Sequence, residues 1–136
     1  MDSGCQQRHP ELLWRKPQPP GASVADMQQI VHYFLHLVFP ALVAYTFYRP
    51  QWKRAYLILL LTMLVDLDHL LASPIFDPCR CSIGFHPLHS YIAIGFYIMA
   101  LAPARTRLIA IGLLLHMATD ALDCYWTAQG PCLTIH

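Results

Sequence analysis

Residues 55–72 read AYLILLLTMLVDLDHLLA. From Ala55 to Val65 there is no charge, and then Asp66, Asp68 and His69 arrive together. The stretch has the length of a membrane-crossing helix, which needs roughly 17–25 residues. Ionisable side chains in such a segment are costly to bury and mark a site. Two close carboxylates also repel each other unless a cation neutralises them.

Three further apolar segments flank this one. They run from about Gln28 to Tyr48 (interrupted by Pro40), from about Leu88 to Ala102 and from about Leu108 to Trp126. Residues 49–54 and 103–107 are short turns that suit helix hairpins, and the loop 73–85 holds Pro74, Pro78 and Gly84. The chain has 136 residues, 56% hydrophobic and 12% charged, with a mean hydropathy of +0.39. Soluble domains carry about 25% charged residues, and this chain has too few polar residues to cover four such helices. The expected fold is all-α: a four-helix transmembrane bundle over residues 27–136. Residues 1–26 contain the linker-like stretch Pro17-Gln18-Pro19-Pro20-Gly21 and are expected to be an extension outside the fold. No apolar run precedes Ile30, so a cleavable signal peptide is not expected. A net charge of +1 makes no case for nucleic acid.

Four antiparallel spans bring the start of each odd helix to the end of each even one. His32, His36, Asp66, Asp68, His69, His86, His89, His116, Asp120 and Asp123 then gather at one membrane face. His32 and His36 are four apart on one helix face. His116, Asp120 and Asp123 form an i, i+4, i+7 stripe. Asp68 points about 200° from Asp66 on an α-helix, so both reach one centre only if the helix ends or unwinds there. The expected metal ligands are His32, Asp66, Asp68, His69, His86, His89, His116 and Asp120. A mixed His/Asp set favours zinc, with manganese or iron next, over calcium or magnesium. The ligand number allows two ions, and two-metal sites commonly hydrolyse phosphoesters. Asp68, Asp123 and His36 are the expected catalytic groups, the latter two as proton carriers. Arg80 in the loop and Ser90 at the mouth of the third helix are the expected substrate contacts, although Ser90 equally suits a helix cap.

Arg49, Lys53, Arg54, Arg105 and Arg107 lie on the opposite face, so the positive-inside rule puts the ligand face outside the cytoplasm. Cys79, Cys81, Cys124 and Cys132 fall on the ligand face, where an oxidising compartment would permit disulfides. Cys79-Arg80-Cys81 is not the Cys-x-x-Cys spacing of zinc or redox motifs. The chain has no glycine-rich phosphate loop, Gly-x-Ser-x-Gly elbow or Cys-x-x-Cys-His motif.

The order His32, Asp66-x-Asp68-His69, His86-x-x-His89-Ser90, His116-x-x-x-Asp120 resembles that of the bacterial membrane-bound metal-dependent hydrolases, the group with a LexA-regulated member. Within that group the chain is most similar, over about Gln29 to Cys124, to a small family of four-helix proteins without an assigned activity. Three features depart from the broader pattern. Val65 stands where that group has Pro, Pro87 stands where it has Arg, and the two loop histidines are three apart instead of five. The resemblance implies a multi-pass protein of the bacterial inner membrane and a metal-dependent hydrolase acting on a phosphoester of a lipid or other amphiphile. Membrane lipids and that amphiphile are the expected partners. A second function class, a non-catalytic metal carrier or sensor, meets the same ligands but lacks polar groups in the far half of the bundle. In a third, purely structural reading, the polar cluster knits helix ends together without metal.

Overall fold

The computed structural model describes residues 24–75, 77 and 80–129. All regular structure among them is helical. The first rod consists of α1 (Val24–Tyr33), a π-helical turn (Phe34–Val38) and α2 (Phe39–Phe47). The second joins α3 (Trp52–Leu61) directly to a 3₁₀ helix (Thr62–Leu71). A short 3₁₀ turn (Pro87–His89) leads into α4 (Tyr91–Met99), and α5 (Arg107–Gln129) closes the chain. The boundary expected between residues 26 and 27 falls inside α1, and residues 1–23 lie outside the described residues.

Local chemistry accounts for the first of the two irregular helices. Pro40 has no N–H, and its ring crowds the carbonyl four residues back, that of His36. The backbone answers with a wide turn in which the Phe39 N–H reaches Phe34 O, five residues away. The second rod tightens instead. In a 3₁₀ helix residues three apart eclipse, and the burial follows that period. Thr62, Val65 and Asp68 are buried, while Leu61, Leu64, Leu67 and Leu70 are exposed. Tightening from about 100° to about 120° per residue brings Asp66 and Asp68 from about 160° apart to about 120° apart. Both can therefore face the bundle without the helix ending.

The α2–α3 hairpin packs against α5, with Ala44, Ala55 and Leu59 buried and Tyr56, Leu108 and Ile111 against them. At Gly112 α5 packs tightly against the second rod. A Cβ there would stand 2.7 Å from both Thr62 Cγ2 and Thr62 Oγ1. The third apolar segment is α-helical only over the nine residues of α4. Ser90 caps it, its Oγ accepting the Ala93 N–H at 3.2 Å. The Arg107 guanidinium donates to the carbonyls of Leu101 and Ala102 in the turn beyond α4.

The distribution of polarity is inverted relative to a water-soluble bundle. Among the described residues eight buried side chains are polar or charged and seven, with Pro40, are apolar, whereas Phe47, Leu71, Tyr91 and Ile92 are each more than three-quarters exposed. An apolar exterior of this extent marks a surface that a partner or a membrane covers. Two continuous helices, Asp26–Phe47 and Arg107–Gln129, are long and apolar enough to cross a membrane.

Candidate metal centre

Four side chains from three elements meet at one point. The 3₁₀ helix supplies Asp66, the Pro87–His89 turn supplies His89, and α5 supplies His116 and Asp120 one turn apart. Asp66 Oδ1 lies 3.1 Å from His116 Nε2 and 3.4 Å from His89 Nε2. Asp120 Oδ2 lies 3.1 Å from His89 Nε2 and 3.4 Å from His116 Nε2. The two Nε2 atoms are 3.3 Å apart. These five separations are those of a tetrahedron whose corners lie about 2.0 Å from its centre, the bond length of nitrogen and oxygen ligands to zinc-like ions, and all four donor atoms lie within 4.8 Å of one another. Asp120 Oδ2 is buried and makes no hydrogen bond despite its nearness to His89. An orphaned buried carboxylate oxygen costs too much to persist without a partner, and a cation at the centre supplies one. The donor set therefore fits a divalent metal ion.

Access to this point is one-sided. His89, His116 and Asp120 are buried, but the Asp66 side chain is 44% exposed. Asp66 thus forms the outward corner.

A second layer holds these four in place. Asp68 Oδ2 accepts the Leu88 N–H at 2.8 Å and lies 3.2 Å from His89 Nδ1. Its other oxygen lies 3.1 Å from His69 Nδ1. On the other side, His116 Nδ1 is 3.1 Å from His36 Nε2, and His36 Nδ1 is 3.1 Å from the His32 carbonyl. Cys81 and Cys124 form a disulfide that ties the loop before the Pro87–His89 turn to α5, one turn beyond Asp120. Cys5, Cys79 and Cys132 lie outside the described residues.

The remaining expected residues stand around this core. His69 Nε2 meets Ser82 Oγ at 3.2 Å, and its ring stacks on that of His86 at 3.9 Å. Burial, and then the neighbouring His69 ring, holds the His86 pKa below the ordinary histidine value, so His86 is neutral near pH 7. His32 pairs with Asp123 at 3.5 Å on the outer rim. Arg80 donates to the carbonyls of Pro74 and Ile75 and lies over the Phe85 ring. Ser90 serves as the α4 cap described above. Two further groups of donors lie close enough to hold an ion, His32–His36–Asp120 and Asp68–His69–His89. Both share a residue with the central set.

Sequence reading did not single out Ser82, Gln28 or Thr127. Gln28 Nε2 donates to Asp123 Oδ1 at 2.8 Å and to Thr127 Oγ1 at 3.1 Å. The signal was present, since Gln28 precedes His32 by four residues and Thr127 follows Asp123 by four. Nothing in the sequence pairs Ser82 with His69.

Residues 26–127 match a family described as a family of unknown function, DUF6122. No curated protein and no solved structure matches the chain. The likeness to membrane-bound hydrolases thus finds no support in these comparisons.

Proposed function

We propose that this chain, which belongs to the DUF6122 family, is a membrane-embedded metal-dependent hydrolase with one ion held by Asp66, His89, His116 and Asp120. The observation that carries the reading is the four-cornered donor set of ion-binding size, with three corners buried and one facing outward. Four nitrogen and oxygen donors at this spacing favour zinc. Such an ion polarises a phosphoryl or carbonyl group and makes water a nucleophile near neutral pH.

The chain's own residues supply the rest. Asp66 occupies the corner that substrate can reach. His69 Nδ1 is 3.5 Å from Asp66 Oδ1, and its side chain is 29% exposed, so it can pass a proton between the site and the outside. The apolar exterior of the bundle supports reading the site as one at a headgroup layer, for which an amphiphilic phosphoester is the matching substrate. The second rod adds to the two continuous apolar helices, because ten α-helical and ten 3₁₀ residues rise about 35 Å. That exceeds the roughly 30 Å hydrocarbon thickness. We read the arrangement, with α4 as a short fourth member reaching about 14 Å, as a four-helix membrane bundle. The Cys81–Cys124 disulfide lies on the ligand face and the basic turns on the other. Both favour an oxidising, periplasmic side for the metal.

One observation favours a second reading. Four protein ligands close a tetrahedral ion, as in structural sites, whereas catalytic sites keep a position open. The second reading is thus a metal-binding membrane protein without turnover. Elemental analysis of purified protein, followed by assay of the zinc-loaded form against lipid phosphoesters, separates the two. One ion per chain with turnover that is lost in Asp66→Asn supports the hydrolase. One ion without turnover supports the second reading, and no ion refutes both.

A further inference from the structure

The two ligand histidines must each present an Nε2 lone pair to the centre. Neutral imidazole carries its proton on one nitrogen or the other, and its hydrogen-bond partner decides which. For His89 the partner is Asp68, whose carboxylate can only accept, so Nδ1 carries the hydrogen and Nε2 is free. His116 has no carboxylate at Nδ1. It faces another imidazole, His36 Nε2, at 3.1 Å, with the weakly accepting Met63 Sδ at 3.4 Å. An imidazole pair can hold its proton in either direction, and only one direction leaves His116 Nε2 open.

The backbone breaks this symmetry. His36 Nδ1 lies 3.1 Å from the His32 carbonyl oxygen. A carbonyl accepts and cannot donate, so His36 Nδ1 carries the hydrogen. Its Nε2 must then accept, which places the His116 hydrogen on Nδ1 and frees His116 Nε2. His36 is buried and lies inside the π-helical turn caused by Pro40, a backbone feature common at functional sites.

We infer that His36 is a positioning residue for the metal centre: a hydrogen-bond relay, in which His116 Nδ1–H donates to His36 Nε2 and His36 Nδ1–H donates to the His32 carbonyl, sets the His116 tautomer and aims its Nε2 at the ion. The role rests on the metal reading above but not on turnover. It also competes with ligation by the His32–His36–Asp120 group, because His36 Nε2, 3.7 Å from Asp120 Oδ1, is occupied as an acceptor while it orients His116.

The test is nitrogen-15 NMR of the histidine rings in purified, detergent-solubilised protein, together with zinc affinity by competition. In zinc-loaded protein His36 should be neutral with its proton on Nδ1, and a coupling across the hydrogen bond should link His116 Nδ1 to His36 Nε2. His36→Leu removes the acceptor, and zinc affinity should fall about 10–100-fold, as for other groups that orient metal-bound histidines. His36→Gln keeps an acceptor oxygen and should stay within about threefold of wild type. A His36 proton on Nε2, or equal zinc affinity in His36→Leu and wild type, overturns the relay. If His36→Leu does not fold, the wild-type ring spectrum alone decides. If the wild type binds no zinc, the metal reading fails, and the His36 tautomer in metal-free protein still reports the relay separately.

Discussion

At the scale of single residues the two acids of α5 look alike in sequence and differ in role. Asp120 aims a buried, unbonded oxygen at the centre, whereas Asp123 sits half-exposed on the rim with Gln28 and His32. Their substitution should separate cleanly. Asp120→Asn should lower metal affinity about 100-fold or more, since losing a direct ligand exceeds the 10–100-fold cost of an orienting group. Asp123→Asn should leave stoichiometry at one ion per chain. Elemental analysis after dialysis reads both, and equal retention in the two variants would remove Asp120 from the ligand set. The i, i+4 relation of His116 and Asp120 was legible in the sequence because α5 is a regular helix. The division of labour between Asp120 and Asp123 was not, because it depends on which rod lies opposite each turn.

At the scale of elements, two departures from the α-helix build the site. The π turn follows from Pro40, and the relay through His36 follows from the turn. Pro40→Ala restores an N–H to the His36 carbonyl and raises helix propensity by about 3 kcal/mol. The rod should then run as continuous α-helix, and His36 should rotate off His116. Helicity by circular dichroism should hold or rise while zinc affinity drops about tenfold or more. Unchanged affinity would mean that the turn does not set His36. The other element-scale constraint is the close approach of α5 to the second rod. Gly112→Ala inserts a methyl 2.7 Å from Thr62, and overpacking of this kind costs about 1–3 kcal/mol. That outweighs the roughly 1 kcal/mol gained in helix propensity. The melting temperature in detergent should fall, and Thr62→Ala in the same chain should recover part of the loss. A Gly112→Ala protein as stable as wild type would place the contact elsewhere.

At the scale of the whole molecule, metal, protons and helix packing are linked. Zinc-like ions bind neutral imidazole and ionised carboxylate, so binding releases protons. Affinity should fall as pH drops, beginning above the ordinary histidine range: burial of metal-free His89 is outweighed by Asp120, Asp66 and Asp68, which hold its pKa above the usual histidine value, so that protons compete for its Nε2. The sign is that acid weakens binding and base restores it. Removing the ion leaves Asp66 and Asp120 facing each other across the site. Amide exchange should then quicken around residues 62–71, 86–90 and 116–124. The turns near Arg49 and Arg105 should hold their protection. Exchange that is uniform along the chain, and indifferent to chelator and pH, would mean that no metal links these elements.

Sequence alone determined the helical character of the chain and the gathering of its ionisable side chains. Both depend on local quantities: the length of each apolar run, the spacing of residues along it and the shortness of the turns. It also determined that Asp66 and Asp68 could share a site only if their helix departed from α geometry. Tertiary structure decided how that happened, by tightening to three residues per turn instead of stopping, so that Thr62, Val65 and Asp68 pack inward together. It also decided which acceptors meet. Asp66, His89, His116 and Asp120 come within ion-binding distance because Gly112 lets α5 approach the second rod and Cys124 holds the loop through Cys81. Such proximities join residues up to 54 positions apart, and no periodicity within a single helix encodes the distance between two of them.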